Sequence, residues 1–496
     1  MGDPRIDETV VAAVATAARL TPGDCADPAL RLWHELGIDS LGLRRLIQHL
    51  EARFGITVPD EDTGQAHTVG DLQAIVHRLA DTSRPAGPDQ TGTGTYTMTA
   101  RIIQPRGRGY LLFDSHPAGC ARLVQDMSDQ VAPASTAARD DRPTALIIGS
   151  SAGYGLAAAI AGIRRYGIQG VGLCFERPPN DRRTATAGWY RTIATAELAA
   201  ETESRFSFVN GDAFADDTKR QVLDLLAKQY EGGIDYLIYS VAAPRRTDPV
   251  TGQTHQSALK PLDRGSETKT LDFGGDTPTL KDVWTDPATD DEKADTIKVM
   301  GGEDWALWVD ALAGQGLLRP GFTTVALSYI GSHLTEQIYR QGTIGAAKAH
   351  LENTALILDG ELRPDGGRAL TSVNGAAVTQ ASTAIPGIAL YTSLLRGVLG
   401  KHMHSPIAQS IDMWDQLTNT RPLQLDDEGR LRLDGWELDP AVQEQVSERW
   451  EQVTADNVGD LADIGWFTSE VHRLYGFDVP GIDYAAPYET DLPWPA

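Results

Sequence analysis

The 496-residue sequence predicts an α/β protein: a doubly wound parallel sheet with insertions, preceded by a small all-α helical bundle. Three observations predict it. The chain is longer than one hydrophobic core usually serves. Up to residue 81 its apolar positions fall at helical spacing with no strand-like alternation. Beyond residue 100, short apolar runs alternate with helical patterns, the βαβ rhythm of a sheet covered on both faces.

In the first segment Ile6, Val10 and Val14 mark one amphipathic helix. Leu43, Leu46, Ile47, Leu50 and Phe54 mark a second, opening just after Ser40. Thr68 with Asp71 three residues on forms a capping pair for a third, through Leu72, Ile75, Val76 and Leu79. Residues 82–98 hold prolines, glycines and few large apolar side chains, so we assign 1–81 to the bundle, 82–100 to a flexible linker and 101–496 to the second domain. As a coil the linker spans roughly 20–25 Å. In the second domain Ala145–Ile148, Gly170–Phe175, Ile234–Tyr239, Thr323–Leu327 and Ala369–Val373 read as buried strands. Leu156–Tyr166 and Lys219–Gln229 read as crossover helices, 250–320 as an insertion, and the stretches near 440–453 and 460–474 as terminal helices.

The charge balance excludes whole classes of partner. With 44 Lys and Arg against 68 Asp and Glu, the net charge of −24 repels phosphate backbones and anionic lipid, so neither nucleic acid nor membrane is expected. No apolar run is long enough to span a bilayer. Cys25, Cys120 and Cys174 are scattered and odd in number, which fits buried apolar roles in a reducing compartment. The first eight residues lack the regions of a signal peptide, and the expected location is cytoplasmic.

Residues 35–41, Glu-Leu-Gly-Ile-Asp-Ser-Leu, place a serine hydroxyl at the start of the second helix. Ser40 would serve there as an ordinary N-cap. Residues 51–62, Glu-Ala-Arg-Phe-Gly-Ile-Thr-Val-Pro-Asp-Glu-Asp, and then Thr68-Val-Gly-Asp71 extend the pattern over nearly the whole segment. The segment resembles an acyl carrier protein. The resemblance implies 4′-phosphopantetheine attached to Ser40, its thiol holding an acyl chain. Trp33 and the basic pair Arg44 and Arg45 depart from the usual acidic recognition helix.

The strand at Ala145 runs into Gly149-Ser150-Ser151-Ala152-Gly153-Tyr154-Gly155 and then a helix. Glycines let the backbone turn sharply and approach a pyrophosphate, while the helix N-terminus offers amide donors and a positive dipole. Phe175 and Glu176 close the next strand. A carboxylate there accepts hydrogen bonds from adenosine ribose hydroxyls and repels a 2′-phosphate, which favours NADH over NADPH. Arg177, Arg182 and Arg183 lie close enough to soften that preference. Asp212 and Ala213 are candidates to hold the adenine, and Val241 and Ala242, in Ser240-Val-Ala-Ala, to border the nicotinamide.

Tyr339 and Lys348 stand nine residues apart. A phenol has a pKa of about 10, and a nearby ammonium lowers it and strengthens the phenol as a donor to a developing oxyanion. Nine steps of about 100° put the two on opposite sides of a continuous helix. They cooperate only if the helix breaks between them, and Gly342 and Gly345 offer the places.

Tyr329-Ile-Gly, Tyr339-x8-Lys348, Gly153-Tyr-Gly-Leu-Ala, Ala187-Gly-Trp-Tyr190, Val299-Met-Gly-Gly-Glu-Asp-Trp305, Tyr239-Ser-Val-Ala-Ala-Pro-Arg-Arg246 and Val378-Thr-Gln-Ala-Ser382 together resemble the FabV/TER family of trans-2-enoyl thioester reductases, over residues 101–490. The resemblance implies that Tyr339 is the proton donor or oxyanion partner and that Lys348 binds the cofactor ribose and tunes the phenol. It implies that Tyr329 touches the substrate thioester, that Glu176 sets the NADH preference, and that Ala377, Val378 and Thr379 line the cofactor. Ser332-His333 stands where the family usually has a proline, and Val241 where leucine is common.

The expected protein is therefore a carrier–reductase fusion that reduces enoyl thioesters on a carrier protein or coenzyme A with NADH, in fatty acid or polyketide-type biosynthesis. Its expected partners are the enoyl thioester, a phosphopantetheinyl transferase and other synthase enzymes. Two alternatives stand beside it: a carrier scaffold with an idle reductase domain, and a ketoreductase on the same nucleotide fold. His402 and His404 lack a third ligand at metal spacing, so no metal is expected. His255 and His333 read as surface or substrate-loop residues, 288–292 as a solvated loop or helix start, and Trp305 and Trp308 as core.

Overall fold

A computed structural model gives the fold. It describes residues 4–18, 20–30, 32, 36, 46–47, 50–51, 53–54, 56, 58, 66, 68–82, 100–108, 110–133, 142–180, 183–273, 278–382 and 385–495. The chain forms two compact units, Met1–Thr97 and Met98–Ala496.

In the first unit, helix α1 (Pro4–Ala18) and helix α2 (Val69–Thr82) bury the apolar stripes their spacing defines: Val10 and Val14 on one, Val69, Leu72 and Val76 on the other. Leu46, Ile47 and Leu50 join the same core. The expected cap on α2 is reciprocal. The Thr68 amide donates to Asp71 Oδ2 at 2.9 Å, and the Asp71 amide donates to Thr68 Oγ1 at 3.2 Å. His77 on α2 meets Asp7 on α1 at 2.8 Å. Ser40 and its neighbours Gly37, Asp39 and Leu41 lie outside the described residues, as does most of the linker.

In the second unit seven strands form one parallel sheet: β1 (Thr144–Ile148), β2 (Gln169–Cys174), β3 (Phe206–Asn210), β4 (Ile234–Tyr239), β5 (Leu318–Ser328), β6 (Arg368–Val373) and β7 (Leu431–Arg432). Their order is β7-β6-β5-β4-β1-β2-β3, the doubly wound arrangement whose direction reverses between β1 and β4. Alternate residues of one strand feed opposite cores. Ala145 and Ile147 pack with the helices Gly153–Ala161 and Pro406–Leu417, while Leu146 and Ile148 pack with Trp305, Trp308 and Leu226. Burial on both faces is why these strands read as continuous apolar runs.

The insertion expected at 250–320 begins earlier and ends before β5: Arg245–Thr247 pairs with Thr254–Gln256 and Ser266–Asp272 with Thr279–Thr285 as two hairpins, followed by two helices, Asp290–Met300 and Glu303–Gly314. Thr289 and Glu292 form a capping box on the first helix. Trp305 and Trp308 are fully buried on the second. The reading of His255 as a surface residue is corrected: it is buried and paired with Asp295 at 2.7 Å, because the Thr254–Gln256 strand lies against that insertion helix. His333 is exposed. His404 stacks on Trp436 with centroids 5.3 Å apart. The three cysteines are free and buried. Among the described residues no helix is long and apolar enough to cross a membrane.

Candidate active site

All the candidate residues of the second unit gather where the strands end at their carboxyl edge, the edge at which doubly wound sheets bind ligands. After β1 the chain turns through Gly149, whose φ of +86° suits only glycine; a Cβ there would lie 2.1 Å from the Ser240 carbonyl oxygen. A Cβ on Gly155 would lie 2.2 Å from the Gly149 carbonyl oxygen. Helix α3 (Gly153–Ala161) begins here, and its N-cap residue Ala152 spends no side chain on the first amides. Unspent amides and a glycine cradle fit a dinucleotide pyrophosphate. Thr379, from the loop after β6, approaches the same turn: its Cγ2 would be 3.5 Å from a Cβ on Gly153.

Glu176 follows β2. Its carboxylate accepts from Ser151 Oγ at 2.6 Å and from Thr186 Oγ1, so it stands beside the turn rather than out in solvent. Asn210, at the end of β3, clamps the Glu176 backbone on both sides, at 2.7 Å and 2.8 Å. Phe175 is 76% exposed, an apolar face beside the turn's acidic neighbour. The Asp212 carboxylate accepts from the Phe214 amide at 3.0 Å, and the Ala213 carbonyl accepts from Lys219 Nζ and Trp308 Nε1. Val241 and Ala242 follow β4, and Ala377–Thr379 follow β6, held by the Ser382 hydroxyl, which donates to the Ala377 carbonyl at 3.0 Å.

The helix breaks between Tyr339 and Lys348. Tyr339 ends the short helix Glu336–Tyr339, and Lys348 lies in the first turns of helix Thr343–Leu362, for which Gly342 is the N-cap. A Cβ on Gly342 would lie 2.6 Å from the Ile338 carbonyl oxygen, and one on Gly345 would lie 2.2 Å from that of Arg340. The two side chains then reach adjacent residues at the end of β5. Lys348 Nζ donates to Ser328 Oγ at 3.1 Å. The Tyr339 ring meets the Tyr329 ring edge to face, with centroids 4.7 Å apart.

The electrostatics differ from the expectation. Burial and the carboxyl of Glu437 push the Tyr339 phenol up, rather than an ammonium drawing it down. Lys348 uses one of its three N–H donors on Ser328, and burial pushes its ammonium down to about 8. Sequence reasoning missed Glu437 and Tyr391. Glu437 is fully buried and accepts from Tyr329 OH at 2.8 Å, from Tyr391 OH at 2.7 Å and from the Ala376 amide at 2.5 Å. No local motif announces a contact between residues 108 positions apart.

A seven-stranded doubly wound sheet, with a glycine turn and a tyrosine–lysine cluster at its carboxyl edge, defines a nicotinamide-dinucleotide oxidoreductase. More narrowly, the chain belongs to the trans-2-enoyl-CoA reductase family. Residues 102–181 match the NAD(P)H binding domain of trans-2-enoyl-CoA reductase, 183–418 the trans-2-enoyl-CoA reductase catalytic region, and 425–487 an enoyl reductase FAD binding domain. Residues 8–76 match the phosphopantetheine attachment site. An enoyl-[acyl-carrier-protein] reductase [NADH] of Streptomyces avermitilis is 60% identical over 395 residues, covering 79% of this chain and all of its own. A Clostridium trans-2-enoyl-CoA reductase in complex with NADH superposes with a TM-score of 0.73 at 35% identity, over 79% of this chain and 98% of its own. That of Treponema denticola with NAD gives 0.72 at 37% identity, over 78% and 98%. The chain is an NADH-dependent enoyl reductase with an N-terminal carrier domain.

The residues at 425–487 do not fit a flavin. Both longer helices of that segment, Pro440–Gln452 and Ile464–Arg473, have their first amides taken by carboxylates, Asp439 and Asp463. Arg430, Arg432 and Arg473 are spent in ion pairs with Asp426, Asp434 and Glu470, and Arg449 donates to the Leu461 carbonyl. Three of the four cations there are neutralised, and a pyrophosphate finds neither of the longer helix N-termini open.

Proposed function

We propose that this enzyme reduces trans-2-enoyl thioesters carried on a 4′-phosphopantetheine arm at Ser40, within fatty acid or polyketide-type biosynthesis in the cytoplasm. In this reading residues 1–81 are the carrier, 82–100 the linker and 101–496 the reductase, and the partners are a phosphopantetheinyl transferase and other synthase enzymes. The observation that carries the chemistry is the meeting of Tyr329, Tyr339 and Lys348 at the end of β5, beside a glycine turn with unspent amides.

Bound NADH supplies the hydride for Cβ of the enoyl thioester. The segment Gly149–Tyr154 holds the pyrophosphate, with Ser151 and Ala152 presenting backbone and Ser150 pinning the turn to the Leu173 carbonyl through its amide and hydroxyl. Phe175 and Glu176 take the adenosine side, Asp212 and Ala213 the adenine, and Val241, Ala242, Ala377, Val378 and Thr379 the nicotinamide half. Lys348 binds the ribose hydroxyls and places a positive field near the site. As negative charge develops on the thioester oxygen, the Tyr339 phenol donates a hydrogen bond to it, and Tyr329 fixes the thioester group; the enolate then takes a proton at Cα from solvent water, and NAD+ and the saturated thioester leave. A donor aimed at a developing oxyanion contributes about 2.7–4 kcal/mol.

Fusion raises the local concentration of a tethered substrate into the mM range where geometry permits engagement. Single-turnover rates of the enoyl-loaded protein over a dilution series test this. Cis delivery gives a first-order rate constant independent of concentration; proportionality to concentration means transfer between molecules. The same preparation is expected to oxidise NADH with a crotonyl thioester and not with a 3-ketoacyl thioester, and the reverse pattern contradicts the reading.

A further inference from the structure

Glu437 lies in the turn after β7 and shares its buried surroundings with four phenols. Its Oε1 accepts from Tyr329 OH at 2.8 Å and from Tyr391 OH at 2.7 Å, and its Oε2 accepts from the Ala376 amide. Gln443 Nε2 locks the arrangement, donating to the Glu437 carbonyl at 2.7 Å and to Tyr391 OH at 3.1 Å. Tyr154 donates instead to the Gly375 carbonyl. The Tyr339 hydroxyl has no hydrogen-bond partner among the described residues, although its ring lies against that of Tyr329. A phenol carries one proton. A hydroxyl that donates to Glu437 has none left for a substrate.

We propose that Glu437 is a positioning residue that holds the phenolic proton of Tyr329, leaving Tyr339 as the phenol free to donate to the thioester oxygen. This rests on the reading of Tyr339 as the donor. Tyr329 then offers the substrate its ring rather than a proton, so two tyrosines in contact within one site have different roles. Protonation of Glu437 reverses the arrangement: its own O–H donates to a phenol oxygen and releases that phenol's proton. The groups facing the carboxyl are Tyr329 from the end of β5, Tyr391 from the helix Ile388–Leu399, Tyr339, Tyr154 and, from its own turn, Asp434. Burial, with Asp434, pushes the carboxyl up to about 7 against the hydrogen bonds that favour its charge.

Glu437→Gln isolates the proton-holding role from the structural one. The amide oxygen can accept from Ala376, and the amide nitrogen then donates to both phenol oxygens, so positions are kept and hydrogen-bond directions are reversed. Four full-length proteins are compared with NADH and crotonyl-CoA: wild type, Tyr339→Phe, Tyr329→Phe, and Tyr339→Phe with Glu437→Gln. Tyr339→Phe is expected to lose about 10²–10³ in kcat. Tyr329→Phe acts mainly through KM. The double variant is expected to regain at least tenfold over Tyr339→Phe, because Tyr329 now has a proton to give. Tyr339→Phe alone is expected to gain rate as pH falls through about 7. NADH binding and Tm checked on each protein establish that it is folded. If Tyr339→Phe is fully active, the reading of Tyr339 is wrong. If it is inactive and Glu437→Gln restores nothing, or if Tyr329→Phe loses as much kcat as Tyr339→Phe, the role assigned to Glu437 is wrong.

Discussion

Tyr329 and Tyr339 meet edge to face, with planes 85° apart, ten residues from each other in sequence and on opposite sides of a helix start. That contact joins the end of β5 to the broken helix that carries Lys348, so the phenols and the ammonium are placed by one junction. Phenol and cation can work together there without touching, since Lys348 is anchored on Ser328, the residue next to Tyr329.

The ammonium should govern the alkaline limb of activity. Burial holds Lys348 at about 8, so its charged form is lost as pH rises through that value. Wild-type kcat/KM is expected to fall above about pH 8. In Lys348→Arg the guanidinium stays charged throughout, and the limb is expected to move beyond pH 9 at reduced overall rate. An unmoved limb would assign it to another group.

Glu176 should govern the choice of dinucleotide. Held by Ser151 and Thr186, its carboxylate opposes a 2′-phosphate beside the turn. Glu176→Ala is expected to lower the ratio of kcat/KM for NADH over NADPH by at least about tenfold, read from parallel titrations of the two coenzymes. An unchanged ratio removes Glu176 from that role.

Two glycines make opposite predictions. Gly149→Ala strains a left-handed backbone and drives a methyl into the Ser240 carbonyl, so it is expected to cost about 1–3 kcal/mol and to weaken NADH binding. Gly360, exposed within helix Thr343–Leu362, has nothing within 4 Å of a Cβ. Gly360→Ala is expected to stabilise by about 0.5–1 kcal/mol. Thermal melts with and without NADH check both.

The buried carboxyl also ties stability to pH. Glu437 titrates at about 7 in the folded protein against 4.5 ordinarily, so between those values the folded state holds a proton the unfolded chain has released. Its contribution is full below about 4.5 and is lost as pH rises through about 7, a difference of about 3 kcal/mol. Urea unfolding of wild type is expected to show this decline between pH 5 and 7, and Glu437→Gln to flatten it. A decline of equal slope in the variant would point to other groups.

The sequence made the local parts of this site legible and left the distant ones hidden. The Gly149 turn is readable because a sharp turn into a helix constrains backbone within a few residues. The nine-residue Tyr–Lys interval is readable because helical geometry demands a break, and the helix does stop at Tyr339 and restart at Thr343. Most strands lie within a residue or two of their apolar runs, but β5 extends back to Leu318 through an irregularity around Pro320. β3, whose Phe206, Phe208 and Val209 are broken by polar residues, and β7, only two residues long, offer too little apolar run to stand out. Glu437 carries no signal at all in sequence, since its partners come from four separate elements. For the same reason the direction of the Tyr339 shift could not be read: spacing points to the ammonium, and the field of a carboxyl 98 residues away is invisible until the chain folds.

The central claim is that the Tyr339 phenol is the hydrogen-bond donor to the charge that develops on the thioester oxygen. Stopped-flow oxidation of NADH by Tyr339→Phe with a saturating crotonyl thioester tests it most directly, with NADH affinity measured alongside. The account predicts a kcat lower by about 10²–10³ with NADH affinity unchanged within about twofold. Turnover equal to that of the wild type would contradict it.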